Sequence, residues 1–275
     1  KHAEVMATQY REGLKQLRKS GWFPDITISH SGWGCGLFVK EIFPMTNHIS
    51  YLEWWFGNEK NLLSQMGTKD WFELSDRSRK KFWNRNATLS LELVNCDRIV
   101  APSIWQYLQL PSSLRKLCCV IYDGLDINLI NSIKANKSKT PLLTYGTRGM
   151  EPVRYFPEFI DMIEDLLENN LDLRIEIGGT DTVNYGGKIP KEGSWKKWSS
   201  NRLEKYINTE RVIFKGYMNY EEYIGWIKSS WMHVYLTRPY VASWSLAEAA
   251  ACKTPLIFNK NYPCLEICQG RNAWI

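Results

Sequence analysis

The chain has 275 residues, 44% hydrophobic and 23% charged, which suits two soluble domains better than one oversized core. Its net charge of +6 is uneven: residues 1–137 hold 18 Lys/Arg against 13 Asp/Glu, residues 138–275 hold 17 against 16. No apolar run is long enough to span a bilayer, no secretion signal is visible, and the seven cysteines form neither a CxxC pair nor a zinc set. A cytoplasmic protein with reduced thiols is therefore expected.

The chain opens on a charged amphipathic helix, KHAEVMATQYREGLKQLRKS. A strand follows over Asp25–Ser29 and ends at His30, then a helix over Gly36–Phe43 and a strand over His48–Leu52. An aromatic and polar segment, Glu53–Asp76, leads into a helix from about Ser78 to Val94. Arg77, Arg79, Lys80, Lys81 and Arg85 make the densest basic run there. The basic first half suits an acidic acceptor or an anionic membrane surface, and this run is either part of such a contact or a solvated helix face. The strand Arg98–Ala101, a short helix and the strand Leu117–Ile121 close this half. Trp33, Trp54, Trp55, Trp71 and Trp83 form either a sugar-stacking platform for an acceptor or core. With no nucleic-acid motif beside the 13 Trp, nucleic acid is not an expected partner. Asn86-Ala-Thr88 and Asn136-Lys-Ser138 fit a glycosylation pattern by chance in a cytoplasmic chain. The Lys/Asn/Ser-rich stretch Asn131–Thr140 reads as a linker, dividing the chain into domains 1–135 and 136–275.

In the second half Pro141–Gly146 is a strand, Phe156–Leu167 a helix with Phe159, Ile160, Ile163, Leu166 and Leu167 on one face, and Leu173–Gly179 a strand stopping at two glycines. A Gly/Lys/Trp-rich loop runs from Thr180 to about Lys197. Then come a helix near Asn201–Ile207, the strand Arg211–Lys215, the helix Tyr220–Ser229, the strand Met232–Leu236, a helix over Ser245–Cys252 and the strand Pro255–Phe258. Such alternation implies parallel sheets with right-handed crossovers, and ligands outside the carboxyl ends of the strands.

Two features there can carry chemistry. Gly146-Thr-Arg148 follows a strand and Arg154 precedes a helix, so two guanidinium groups reach one sheet edge, where they suit a diphosphate. Beyond Pro239, a small-residue turn presents the backbone N–H groups of Ser243, Trp244 and Ser245 at a helix N-terminus, an anion site. Glu248 lies about one turn further, within reach of vicinal sugar hydroxyls.

The order strand–G-x-R–x5–R–helix, Ile-Gly-Gly, Val-Ile-Phe-Lys-Gly216, His-Val-Tyr-Leu-Thr and Ser-Trp-Ser-Leu-Ala-Glu-Ala resembles the donor domain of family 4 (GT4) retaining glycosyltransferases. Pro24–His30, Arg85-Asn-Ala, Ala101-Pro-Ser-Ile-Trp-Gln and Tyr122-Asp-Gly-Leu-Asp126 extend the likeness over about residues 22–275. The resemblance implies the GT-B fold, two Rossmann-like α/β domains with a cleft between them, the N-terminal one incomplete. Under it, Arg148 and Arg154 neutralise the donor diphosphate as the leaving group departs. Glu248 binds the nucleotide ribose, and Gly216, Tyr217 and Met218 form the turn that reads the base. His30 lies near the sugar, and Gly146, Gly178, Gly179, Ser243, Trp244 and Ser245 complete the donor pocket. Tyr240 occupies the place of the first glutamate of the family's E-x7-E motif. With Pro239–Ser245 it matches the Pro-aromatic-Val-x-Ser-Trp-Ser pattern of a bacterial, cyanobacterial-type subgroup. Both chain ends read as cut, because elements flanking the family's pattern are missing.

The implied reaction is transfer of a sugar from a nucleotide-diphosphate sugar to a glycan or lipid-linked sugar acceptor. Without an Asp-x-Asp motif, no cofactor or metal is expected. Two other readings stay open: a truncated nucleotide-sugar-binding protein without turnover, and a GT-B-shaped nucleotide-sugar epimerase.

Overall fold

A computed structural model describes residues 2–56, 71, 76–241, 243–268 and 273–274. The chain forms two compact units, the first over residues 1–64 and 74–123, the second over 65–73 and 124–275.

In the first unit, α1 (His2–Lys19) precedes β1 (Ile26–His30), α2 (Val39–Ile42), β2 (Asn47–Tyr51), α3 (Asp76–Val94), β3 (Arg98–Ala101), α4 (Ile104–Gln109), α5 (Ser112–Arg115) and β4 (Cys118–Val120). The strands form a parallel sheet in the order β1-β2-β3-β4. One face packs Ile99 under Leu89 and Leu93 of α3, with Leu52 and Leu110 closing the cluster. Parallel sheets are ordinarily covered on both faces. Here Ile26 and Ile28 are 59% and 71% exposed, in keeping with a partial domain. The helix expected over Gly36–Phe43 shrinks to the single turn α2, since Gly34 takes φ +86° and Ser31–Gly36 forms a turn instead.

The second unit contains α6 (Ile127–Ser132), β5 (Leu142–Gly149), a 3-10 turn (Pro152–Arg154), α7 (Phe156–Asn169), β6 (Arg174–Thr180), α8 (Trp195–Arg202), α9 (Glu204–Asn208), β7 (Val212–Gly216), α10 (Tyr220–Ser229), β8 (Met232–Tyr235), α11 (Trp244–Ala251), β9 (Leu256–Phe258), α12 (Tyr262–Ile267) and β10 (Ala273–Trp274). Its strands are parallel, in the order β10-β9-β8-β5-β6-β7. From β5 the chain builds outward through β6 and β7, then returns to lay β8 on the other flank of β5. The order thus reverses at β5/β8, and a crevice opens at the carboxyl ends of those strands.

Phe159, Ile160, Ile163 and Leu167 of α7 are fully buried. They recur at helical spacing because one stripe of the helix must cover the sheet. The loop expected up to Lys197 ends earlier. Ser194 caps α8 by accepting from the Lys197 N–H, while Trp195, 1% exposed, anchors the first turn in the core. The expected linker is fastened to the second unit. Ser138 N–H donates to Ser229 O at 2.8 Å, Lys137 Nζ to Ser230 O at 2.6 Å, and Lys228 Nζ to Ile133 O at 2.8 Å. Ile130 of α6 is fully buried in the same unit, so the main stretch of that unit begins at Gly124.

The described tryptophans have separate neighbours. Trp54 is buried against Trp105, Trp55 packs on the first core, and Trp71 packs on Trp195 and Trp198 of the second unit. Trp33 is exposed, and the Trp83 side chain lies outside the described residues. Arg77, Lys80, Lys81 and Arg85 line an exposed face of α3. Asn86 is buried and hydrogen-bonded through its amide to both backbone groups of Phe56, so it offers no glycosylation site. All seven cysteines are free. No helix among the described residues is long and apolar enough to cross a membrane.

Candidate active site

A cleft of about 550 Å³ opens at the β5/β8 reversal. Its floor explains the glycines. The Trp226 indole lies beneath β5 and β6, donating to Glu176 Oε2 at 2.7 Å and meeting His233 edge to face. A Cβ at Gly146 would stand 3.2 Å from Trp226. One at Gly178 would stand 3.0 Å from it and 2.8 Å from Met218 Cε. Gly179 has φ +124°, and a Cβ there would meet Thr147 O at 2.0 Å. At Gly179 only glycine fits, while at Gly146 and Gly178 a side chain would have to push the indole or Met218 aside.

Arg154 enters from the 3-10 turn after β5. Three contacts pin that turn: Tyr145 Oη donates to Arg154 O at 2.8 Å, Arg238 N–H to Val153 O at 2.8 Å, and Arg238 Nε to Pro152 O at 3.3 Å. Arg154 as a whole is 9% exposed. Its Nη1 donates to Thr237 Oγ1 at 2.8 Å and Tyr235 Oη at 3.1 Å, and the group lies over the Tyr185 ring at 5.3 Å. All of these partners are neutral. A buried cation normally carries a carboxylate partner. Here no carboxylate among the described residues reaches ion-pair distance; Glu151 acts on Arg154 only through space, and the guanidinium stays open to an anionic ligand.

Thr237 is itself locked by Asn259 and Asn261, whose side chains bond its backbone at 2.9–3.0 Å. Arg148 also lines the cleft and is exposed, and its guanidinium makes no hydrogen bond or ion pair among the described residues. The first turn of α11 faces the cleft through Ser243 and Ser245. Their hydroxyls bond each other at 2.7 Å and Ser243 makes no side-chain cap, while its carbonyl accepts from the Leu246 N–H at 3.2 Å, so the positive end of the helix points at the cleft.

Glu248 sits one turn into α11, half-buried. Burial raises its carboxyl while the Tyr220 and Tyr223 hydroxyls lower it. Gly216, at φ +69°, turns the chain so that Tyr217 and Met218 form the outer wall.

The structure thus brings Gly146, Arg148, Arg154, Gly178, Gly179, Gly216, Tyr217, Met218, Ser243, Ser245 and Glu248 around one cleft. Trp244 does not line it and is 64% exposed. Tyr240 lies at its margin, its ring 6.0 Å from that of Tyr185. His30 belongs to the first unit. There it ends β1, with Nδ1 3.1 Å from Ser31 O, Nε2 3.5 Å from Glu53 Oε2, and its ring against Tyr51. Sequence reasoning missed Tyr185, Thr182, Asn184, Tyr223, Trp226 and Tyr235, all of which line the cleft. No motif marks them; the signal that could have found the indole is the pair of glycines, Gly146 and Gly178, that face it. Among the described residues no cluster of His, Cys, Asp and Glu is arranged to hold a metal ion.

The chain belongs to the glycosyl transferases group 1 family, which matches residues 128–273; the glycosyl transferase family 4 group matches residues 2–130. Among solved structures it resembles the sucrose-phosphate synthase of Thermosynechococcus elongatus (14% identity, TM-score 0.64, 94% of this chain and 61% of that one). It also resembles a glycosyltransferase from Rickettsia africae (12%, 0.64, 97% and 65%) and Anabaena HepE, solved in complex with UDP-glucose (13%, 0.61, 95% and 65%). The chain therefore spans under two thirds of each of these structures. The fold is of the GT-B type. No curated protein matches the chain.

Proposed function

We propose that the second unit binds a nucleotide-diphosphate sugar at this cleft, and that the protein is a retaining glycosyltransferase passing the sugar to a carbohydrate or lipid-linked acceptor. The observation that carries this is Arg154, a buried guanidinium with neutral hydrogen-bond partners, opening onto a helix N-terminus beside Arg148, whose guanidinium has no partner among the described residues. Charge building on a departing diphosphate is what such a set stabilises, and removing one such donor costs roughly 2.7–4 kcal/mol in a barrier. Glu248 is suited to the ribose and the turn at 216–218 to the base. Neutralisation by two arginines replaces the metal that a carboxylate pair would hold, so no metal is required.

UDP is the first ligand to test, because HepE of the same fold holds UDP-glucose. UDP should raise the melting temperature. Arg154→Ala should abolish the rise and Arg148→Ala should reduce it. Undiminished protection in both variants would reject the assignment. With a matched acceptor, Arg154→Ala should lose about 100-fold or more in kcat.

A further inference from the structure

Glu151 stands three residues before Arg154, is fully buried, and takes no part in the cleft wall. Its Oε2 accepts three consecutive backbone N–H groups, from Asn184 at 2.8 Å, Tyr185 at 2.7 Å and Gly186 at 3.3 Å. Its Oε1 is buried without a hydrogen-bond partner. A carboxylate that could have paired with Arg154 is instead turned onto the β6–α8 loop. The loop is seated closely as well: a Cβ on Gly149 would meet Asn184 Nδ2 and Thr182 O at 2.3 Å, and one on Gly187 would meet Pro152 Cγ at 2.5 Å. The outcome is that Tyr185, on this loop, lies over the Arg154 guanidinium with its ring centre 5.3 Å away. An aromatic face steadies a buried cation without neutralising it. A carboxylate in the same place would compete with the ligand's phosphate.

We propose that Glu151 is a positioning residue: by clamping the backbone of residues 184–186 it fixes Tyr185 on Arg154 and sets the site's affinity for the terminal phosphate of a nucleoside diphosphate. This rests on reading the cleft as a nucleoside-diphosphate site. The buried, half-satisfied carboxylate is the clearest sign, because such a group costs stability and would be replaced by an apolar residue if packing were all it supplied.

The test is titration of the full chain with UDP and UMP in wild type, Glu151→Ala, Glu151→Gln, Tyr185→Ala and the Glu151→Ala/Tyr185→Ala double variant, with amide exchange read at residues 184–186. Glu151→Ala should weaken UDP by about tenfold or more, the scale of one lost charge-assisted bond, and UMP by much less. Glu151→Gln, which keeps an acceptor oxygen, should fall between wild type and Glu151→Ala, and it carries the test should Glu151→Ala not fold. Amides 184–186 should exchange faster, and the double variant should lose no more than its worse single parent. A UDP-over-UMP preference unchanged in both Glu151 variants, or losses that simply add, would overturn the proposal. Wild type that binds no nucleoside diphosphate would overturn the underlying reading with it.

Discussion

Arg154 keeps its charge in a buried position because two hydroxyls and a tyrosine ring solvate it. His233 is fully buried beneath the same cleft, its imidazole bonded at Nδ1 to Thr144 Oγ1 at 2.8 Å with Nε2 lacking a partner among the described residues, and it is held neutral. Burial pushes the His233 imidazole down from 6.5 to about 4. The unfolded chain therefore takes up this proton first, and stability falls as the pH drops from about 6.5 to about 4. At about 1.4 kcal/mol per pH unit, the residue alone removes up to about 3 kcal/mol. In urea titrations across that range, His233→Asn should show the shallower loss of stability. Equal slopes in the two proteins would mean that the imidazole titrates as if it were in water. His48, also lowered by burial, acts in the same direction in both proteins and cancels from the comparison.

At the scale of elements, β6 ends in two glycines that serve different ends. Gly179→Ala places a side chain at φ +124° against the Thr147 carbonyl. It should cost roughly 1–3 kcal/mol or more in urea-unfolding stability, because neither backbone can retreat. Gly178→Ala meets the mobile end of Met218 before the Trp226 ring, so its larger effect should fall on UDP affinity. If Gly178→Ala proved the more destabilising of the two, the backbone at Gly179 would have room it lacks here.

Strands ending at glycines and helices with one apolar stripe were legible in the sequence, because periodicity and chain reversal depend on neighbouring residues. That covers β5, β6, α7 and α10, and with them Gly146, Gly178 and Gly179. The lining by Trp226 and Tyr235 and the Glu151 clamp were not legible. Each depends on contacts made across the sheet, between residues 33 to 81 positions apart or on strands that become neighbours only after the order reverses. The first helix turn at 39–42 was overestimated because the glycines at 32, 34 and 36 favour turns, a preference that the apolar pattern of the following residues obscures.

Over the whole molecule, the described cleft is built from the second unit alone. Amide protection by UDP should accordingly appear in the loops after β5, β6 and β7 and in the first turn of α11. Protection of comparable size along β1–β4 would show that ligand contacts extend beyond the residues named here. Yet the second unit is not one continuous stretch of chain. Trp71 is contributed from more than fifty residues before Gly124, and its indole packs edge-on against Trp195 at 5.0 Å and Trp198 at 6.2 Å. A ribosome making this protein must therefore release a piece of the second core before it has finished the first. That indole waits, unpaired, through the synthesis of some 120 further residues. The Trp71 strap makes the two units interdependent in the order of their making, and no single cut in the gene yields the second one whole.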